Sequence, residues 1–271
     1  NHEMVFTSRS EIDVTNLQAA EKKIMKLAPD VVINATGYTA VDDAEQEPII
    51  ANRVNALAVA NIANACQRLG SWLIHISTDY VFDGNSVVPY KEEDQTNPQN
   101  VYGNSKLTGE LAILASGCRY LIVRTSWVFS EYGRNFLSSM LRLGDTHKSV
   151  NIVSDQIGCP TYAQDLAKAF ALIVGSLGND NVESGVYHYG GDSSCSWHEF
   201  ACLIFEEAKH LGFGAPRVVR AIKTSEYHTP ASRPAFSVLD CGRIEKDFFV
   251  KLSDWRAGTR SALQAITKNN H

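Results

Sequence analysis

The sequence predicts a doubly wound α/β protein, in which helices cover both faces of a parallel sheet. Uninterrupted apolar runs begin at residues 31, 72 and 120, and such runs are typical of strands that are buried on both faces. Segments with helical spacing of their apolar residues separate these runs. Alternating strands and helices form βαβ units, so we expect parallel strands joined by right-handed crossovers.

The first elements of the chain are a strand and a helix. Met4–Thr7 is a short strand candidate, and an amphipathic helix is predicted from residue 17 to about residue 27. Either Asp13 or Asn16 is expected to cap this helix, because both side chains can accept hydrogen bonds from free backbone N–H groups.

The central strands are predicted at residues 31–34, 72–77 and 120–124. Small residues, 35–37, follow the first of them, so the backbone there can pass close to a neighbouring group. The second strand delivers Ser77-Thr78-Asp79 to its carboxyl end, where open α/β sheets place their functional sites.

Two long helices are predicted between these strands, over residues 47–69 and 101–115. In the second helix, Leu107, Leu111 and Leu114 recur at helical spacing and are expected to face inward.

The sequence changes character after about residue 151. Helices are predicted over residues 164–177 and 196–211, with a strand between them at 186–189. We therefore divide the chain into a dinucleotide-binding domain, residues 1–150, and a mainly substrate-binding domain, residues 151–271, parts of which return to the first domain.

Composition excludes several classes of protein. The net charge is −5, so no basic excess is available for nucleic acid, and no apolar run has the ~20 residues that cross a bilayer. No secretory signal is visible at the N-terminus, and six scattered cysteines without metal-ligand spacing indicate buried thiols in the cytoplasm rather than disulfides. We expect no metal site.

A glycine-rich turn of the kind that holds a pyrophosphate is not found in these residues. A dinucleotide-binding sheet normally begins with a strand, such a turn and a helix. The chain therefore reads as if it begins one βα unit late, and loss of that central strand would leave two neighbouring strands without a partner.

Tyr102 and Lys106 carry the predicted chemistry. They lie four residues apart, on one face of a helix. An ammonium group beside a phenol stabilises the phenolate and lowers its pKa, so that proton exchange with a carbonyl becomes feasible. Thr78 can donate to the same carbonyl, and Asp79 could orient substrate hydroxyls. Chance nearly accounts for the Tyr–Lys spacing alone, so the surrounding motifs decide.

Several motifs in order resemble the extended short-chain dehydrogenase/reductase family, and within it the reductases of dTDP-linked 4-keto-6-deoxy sugars. The matching segments are residues 76–84, 100–103 with 106–110, 124–129, 38–45, 155–161 and 229–234. The resemblance extends from about residue 11 to 265.

The resemblance implies a Rossmann-type fold, NADPH or NADH as cofactor, and a role for each matched residue. Tyr102 would donate a proton to C4 of the sugar, Lys106 would hold the nicotinamide ribose, and Thr78 would take the place of the family's catalytic Ser/Thr. The cofactor would also contact Asp13, Val14, Ala35, Thr36 and Gly37. The dTDP-sugar would contact Thr78, Asp79, Trp127 and Arg233. A homodimer is expected.

Other interpretations stay open. Trp127 could be a core aromatic residue, Arg233 could form a surface salt bridge, and His75 is better explained as a hydrogen-bonded interior residue than as a base. The chain could also be an epimerase or dehydratase of the same family, which keeps its NAD bound. A third alternative is a non-catalytic subunit resembling the regulatory β subunit of methionine adenosyltransferase.

Overall fold

The computed structural model describes residues 3–178 and 182–269 of the 271-residue chain. The helices are α1 (Leu17–Leu27), α2 (Val41–Ala44), α3 (Pro48–Asn52), α4 (Ala58–Leu69), α5 (Val101–Ser116), α6 (Phe136–Thr146), α7 (Ala163–Ser176), α8 (Trp197–His210), α9 (Gly242–Phe248) and α10 (Trp255–Asn269). The strands are β1 (Val31–Asn34), β2 (Trp72–Thr78), β3 (Arg119–Thr125), β4 (Val128–Phe129), β5 (Ser149–Val153), β6 (Ile157–Gly158), β7 (Thr161–Tyr162), β8 (Gly185–His188), β9 (Cys195–Ser196) and β10 (Val218–Ile222).

The main sheet has four parallel strands in the order β1-β2-β3-β8. The expected parallel α/β architecture is therefore confirmed, because β1, β2 and β3 are the three predicted apolar strands. Strand β8 comes from the C-terminal part of the chain and pairs with β3. The register places Asn34 opposite His75 and Thr78 opposite Thr125, so their side chains lie near the carboxyl edge of the sheet.

The predicted strand at Met4–Thr7 is wrong. This segment has no regular structure, and Met4, Val5 and Phe6 are 62%, 61% and 80% exposed. A strand needs a partner for its backbone groups, and within the described ranges β1 pairs with β2 alone. Strand β1 is an edge strand whose Ile33 is 39% exposed, whereas Leu73 and Ile74 of β2 and residues 121–123 of β3 are fully buried.

Two helix predictions are refined by the structure. Asn16 rather than Asp13 caps α1, since its Oδ1 accepts a hydrogen bond from the Ala19 N–H at 3.2 Å. The helix predicted over residues 47–69 is observed from residue 48 to residue 69 without a break, but its segment Arg53–Leu57 is a π-helix. Such turns occur frequently at functional sites.

The predicted inward face of helix α5 is only partly confirmed. Leu107 is half-buried and packs against the cluster on the sheet. Leu111 and Leu114 are instead 57% and 48% exposed, whereas Lys106 and Glu110 are buried. Leucine spacing misplaced part of this face because the buried side of this helix carries polar groups that only their tertiary partners make tolerable.

The core consists of separate apolar clusters. One lies on the sheet and includes residues of β2, β3, α7 and α9, and another surrounds Phe200 of α8. Helix α6 precedes residue 150 but packs into the second cluster, and the division of the chain at that residue stays a prediction. Within the part of the chain that the structure describes, no helix is both long enough and apolar enough to cross a membrane.

Candidate active site

Thr78 and Asp79 occupy the carboxyl end of β2, where the strand passes into a single 3₁₀ turn, Asp79–Val81. The Thr78 hydroxyl accepts a hydrogen bond from the Tyr80 N–H at 3.2 Å and donates one to Asp79 Oδ1 at 3.0 Å. Both residues are buried. The threonine side chain is thus held in one orientation by its two neighbours in sequence.

The N-terminus of α5 is held against this strand end. Asn100 caps the helix by accepting the Gly103 N–H at 2.7 Å, and its Nδ2 donates to the Ser232 carbonyl at 2.8 Å. A Cβ on Gly103 would lie 2.2 Å from the Tyr80 carbonyl oxygen, so glycine allows the two backbones to touch. This contact puts the rings of Tyr80 and Tyr102 edge to face, with 5.6 Å between their centroids.

The Tyr102 phenol lies beside the Thr78 hydroxyl. By surface area the residue is only partly buried, yet protein surrounds its phenol closely enough that burial raises its pKa to about 12. The nearby Thr78 hydroxyl lowers the pKa, and the charge of Asp79 raises it further. Tyr102 is therefore fully protonated at neutral pH, which is the state that a proton donor requires.

Asp79 is a buried carboxyl group beside the two hydroxyls. Burial raises its pKa to about 6, opposed by hydrogen bonds from Ser237 and Thr78. Its Oδ2 makes no hydrogen bond of standard geometry within the described residues, although the Ser237 hydroxyl is near enough to lower the pKa. An oxygen in this condition is well placed to accept a hydrogen bond from a ligand.

Lys106 lies one helical turn beyond Tyr102 and faces the sheet. Its Nζ donates to the Ile76 carbonyl at 2.6 Å and lies 3.4 Å from His75 Nε2. Burial lowers the pKa of Lys106 to about 8, while the charge of Glu110 raises it. The predicted effect of Lys106 on the pKa of Tyr102 stays a prediction, because in this structure burial dominates the phenol.

A buried ion pair underlies the site. Arg124 of β3 donates from Nη2 to Glu110 Oε2 at 2.7 Å and from Nε to Oε1 at 3.0 Å. The Ser77 hydroxyl also donates to Glu110. The side chains of Arg124 and Glu110 are only 5% and 2% exposed, so each charge depends on the other for compensation.

The predicted cofactor contacts lie near the end of β1. Ala35, Thr36 and Gly37 are exposed at the end of β1, so a ligand can reach them. Asp13 lies in the turn before α1, and Arg53 of the π-helix donates to the nearby Thr15 carbonyl.

The same π-helix also holds the loop after β1. Asn55 accepts the Tyr38 N–H at 2.8 Å and donates to Ser105 of α5 at 2.9 Å. This helix therefore connects the loop at Gly37 to the helix that carries Tyr102. Val14 is half-buried and packs on the apolar cluster that includes Ile24.

Trp127 lies in a strained backbone conformation, with φ of 47°. Its ring stacks on Trp197 with 3.4 Å between centroids, and a Cβ on Gly158 would lie 2.5 Å from it. Positive φ at a bulky residue is uncommon and occurs often at functional sites. The ring is half-buried, so it packs on the second core cluster and also reaches the surface.

Arg233 forms a bidentate ion pair with Asp42. Its Nη1 donates to Oδ1 at 3.0 Å and its Nη2 to Oδ2 at 2.7 Å. The arginine and aspartate side chains are 22% and 37% exposed. The salt bridge that the sequence left open is therefore present, and contact with a diphosphate stays a prediction.

Sequence reasoning missed the buried polar partners of this site, chiefly Asn34, Glu110 and Arg124. His75 was assigned to the interior, and it is fully buried and bonded to Asn34 at 3.1 Å. Charged residues at positions predicted to be buried were the available signal: Glu110 lies on α5 one turn after Lys106, and Arg124 ends an apolar strand.

The residues present fit the nicotinamide end of a dinucleotide. The Tyr102 phenol lies near the Thr78 hydroxyl at the end of β2, the Lys106 amine contacts the same strand at Ile76, and Asp79 has an oxygen without a hydrogen-bond partner among the described residues. Residues 35–37 are exposed at the end of β1, where the rest of the molecule could lie. No described residues provide the glycine turn that binds a pyrophosphate.

Comparison with known proteins gives consistent results. The family model described as the RmlD substrate binding domain matches residues 1–268. A dTDP-4-dehydrorhamnose reductase from Sinorhizobium fredii is 41% identical over 97% of this chain and 90% of its own length. The enzyme of that name from Escherichia coli K12 is 39% identical over 94% of this chain and 85% of its own length. The crystal structure of dTDP-4-dehydrorhamnose reductase from Bacillus anthracis in complex with NADP has a TM-score of 0.86 and 34% identity, covering 96% of this chain and 89% of that one.

Proposed function

The chain belongs to the family of the RmlD substrate binding domain, and we propose that it reduces the C4 carbonyl of dTDP-4-dehydro-6-deoxy-L-mannose to form dTDP-L-rhamnose. The protein is an oxidoreductase that uses NADPH or NADH. Relatives named for this reaction, 39% and 41% identical over 94% and 97% of the chain, support the substrate. The single observation that carries the mechanism is the close backbone contact at Gly103, which seats the start of α5, with Tyr102, against the end of β2, with Thr78.

The proton comes from Tyr102. A reduced nicotinamide, when bound, supplies the hydride that forms the new C–H bond at C4. Tyr102 transfers its phenolic proton to the carbonyl oxygen, and the resulting phenolate regains a proton from solvent. Because burial raises the pKa of Tyr102 to about 12, a nearby positive charge is needed to stabilise the phenolate, and Lys106 is the candidate.

Thr78 and Asp79 orient the sugar in this proposal. The Thr78 hydroxyl now donates to Asp79, and it can turn to donate to the carbonyl oxygen that Tyr102 protonates. Asp79 Oδ2 accepts a sugar hydroxyl. Trp127 provides an aromatic face, since its ring is fixed by stacking on Trp197.

The remaining assignments concern the cofactor and the diphosphate. Lys106 holds the nicotinamide ribose, while Ala35, Thr36, Gly37, Asp13 and Val14 contact the rest of the cofactor. Their support is accessibility, since Asp13 and residues 35–37 are exposed and Val14 is half-buried. Arg233 is retained as a diphosphate ligand, because a guanidinium fork suits phosphate oxygens.

Location, assembly and domains complete the proposal. All six cysteines are free, which favours a reducing compartment such as the cytoplasm. The net charge of −5 is consistent with the absence of a nucleic-acid partner. A homodimer, the absence of a membrane partner and the division into residues 1–150 and 151–271 stay predictions.

Replacing Tyr102 by phenylalanine tests the reaction. We expect Tyr102→Phe to lose a factor of roughly 10² to 10⁴ in turnover, the usual contribution of a positioned acid. NADPH consumption with the dTDP-linked keto sugar is the measurement. Tyr80→Phe removes a neighbouring buried phenol and should keep most of its turnover. Near-normal turnover by folded, cofactor-saturated Tyr102→Phe would contradict the assignment.

Cofactor stoichiometry separates the alternatives. A reductase consumes one reduced nicotinamide per sugar, whereas an epimerase or dehydratase returns its cofactor unchanged. A regulatory subunit would show no turnover and would instead bind a synthetase partner. Reductase relatives that match nearly the whole chain favour the first outcome.

A further inference from the structure

The side chain of Asn34 has a fixed orientation at the end of β1. The backbone N–H and the hydroxyl of Thr36 both donate to Asn34 Oδ1, at 3.1 and 2.7 Å. A backbone N–H can only donate, so the atom that receives it must be the amide oxygen. The other end of the amide, Nδ2, must therefore be a donor.

His75 accepts the hydrogen bond from Asn34 Nδ2. Asn34 Nδ2 lies 3.1 Å from His75 Nδ1, and both side chains are buried. Because Nδ2 donates, Nδ1 must be the unprotonated nitrogen of the imidazole, and the ring proton lies on Nε2. Burial and the charge of Lys106 both lower the pKa of His75, so the neutral form is expected.

His75 Nε2 faces the Lys106 amine at 3.4 Å. An ammonium group offers only donors, and so does an Nε2–H, so the two groups match only when the lysine is a neutral amine that accepts the imidazole proton. Lys106 is left with the Ile76 carbonyl as its acceptor at 2.6 Å. The charge of Glu110 raises the pKa of Lys106, but Arg124 and Ser77 both donate to that carboxylate.

We propose that His75 is a positioning residue for Lys106: its tautomer, fixed by Asn34, presents Nε2–H to the lysine and favours the neutral amine. A continuous series of hydrogen bonds thus runs from Thr36, at the exposed end of β1, through Asn34 and His75 to Lys106 on α5. This series sets the pKa of Lys106.

One consequence rests on the proposed function. If the Lys106 ammonium stabilises the Tyr102 phenolate, turnover should fall as pH rises through the pKa of Lys106, which burial lowers to about 8. Without the Asn34 donor, His75 can take the other tautomer and accept from the ammonium. The pKa of Lys106 and the alkaline limb of the pH profile should then move upward together.

Nuclear magnetic resonance tests the tautomer without any assay of activity. In protein labelled with ¹⁵N-histidine, we expect His75 to show an unprotonated Nδ1 and a protonated Nε2 between pH 6 and 9. His75→Phe identifies the signals by their loss. A protonated Nδ1 in the native protein would overturn the proposal.

A variant series tests the effect on Lys106. The pH titration of its ¹³Cε signal, assigned with Lys106→Met, should move upward by about one unit in Asn34→Leu. Thr36→Val is the matched control: it removes one bond to Asn34 Oδ1 but keeps the backbone donor, so the titration should not move. An unchanged titration in folded Asn34→Leu would also overturn the proposal.

The two hypotheses fail in different ways. Absence of reductase turnover in the native protein would refute the proposed function, while the tautomer and the lysine titration could still be as inferred. Should Asn34→Leu not fold, the tautomer measured in the native protein decides the matter.

Discussion

The interface between α5 and the main sheet and the cluster around Phe200 bury side chains of opposite kinds. The α5–sheet interface contains charged and polar groups that are held by hydrogen bonds: His75, Lys106, Glu110 and Arg124. The other cluster is built by aromatic stacking. Its rings belong to Trp127, Phe129, Phe136, Tyr162, Trp197, Phe200 and Trp255.

This difference predicts different sensitivities. Buried charges depend on partners, so removal of one partner leaves the other uncompensated. Aromatic packing depends on shape, so added volume is the more informative change. The following substitutions test that contrast, beginning with the largest expected effect on stability.

Arg124→Met should destabilise the protein most, by about 3–5 kcal/mol, because it leaves the Glu110 carboxylate buried and unpaired. Urea unfolding at neutral pH measures this. The double variant Arg124→Met/Glu110→Leu removes both charges and should recover much of the loss. A single variant that loses less than about 1 kcal/mol would show that this pair behaves like a surface pair.

Asp79→Asn should stabilise the protein at neutral pH. The pKa of Asp79 is raised by burial from 3.8 to about 6. Above pH 6 the carboxylate is therefore ionised in both states, but only in the folded state is the charge desolvated and unfavourable. At 1.36 kcal/mol per unit, the gain is at most about 3 kcal/mol, and it should vanish as the pH falls to 4.

Asp83→Asn is the matched control for this pH effect. The Asn85 N–H and the Tyr90 hydroxyl bond the Asp83 carboxylate and lower its pKa, so this variant should lose stability above pH 4. Unfolding measured across pH 3–8 should give opposite signs for the two variants, and equal signs would contradict the burial argument.

Gly158→Ala should disturb the aromatic region by overpacking. The added Cβ would lie 2.5 Å from the Trp127 ring, so the ring must leave its stack on Trp197, at a cost of about 1–3 kcal/mol. Tryptophan fluorescence and thermal unfolding report both effects. Gly175→Ala, an exposed helical position with nothing within 4 Å of the new atom, should be neutral or slightly stabilising.

Asp42→Asn should have the smallest effect. The Asp42–Arg233 pair is 37% and 22% exposed, and such pairs contribute about 0.2–1 kcal/mol. The free energy of unfolding should therefore change far less than in Arg124→Met. The same variant tests whether Arg233 contacts the diphosphate. Asp42→Asn frees the Arg233 guanidinium from its ion pair, so KM for the dTDP-sugar should not rise if Arg233 binds the diphosphate.

The sequence by itself determined the three apolar strands of the main sheet and the helices that separate them. Strands β1, β2 and β3 were predictable because a strand buried on both faces needs an apolar run, and that requirement is local. The positions of Tyr102 and Lys106 on one helix and of Thr78 at a strand end were predictable for a related reason, because spacing and strand ends are visible in the sequence. Their catalytic roles stay predictions.

Only the tertiary structure decided which groups compensate the buried charges and how the edges of the sheet are used. Asn34 and His75 are 41 residues apart in sequence, Glu110 and Arg124 lie on different elements, and Asp42 meets Arg233 across 191 residues. Met4–Thr7 has strand-forming residues but no partner strand within the described ranges. A hydrogen bond between side chains and the pairing of two strands both need a second segment of the chain at bonding distance. Only the folded structure brings that segment there.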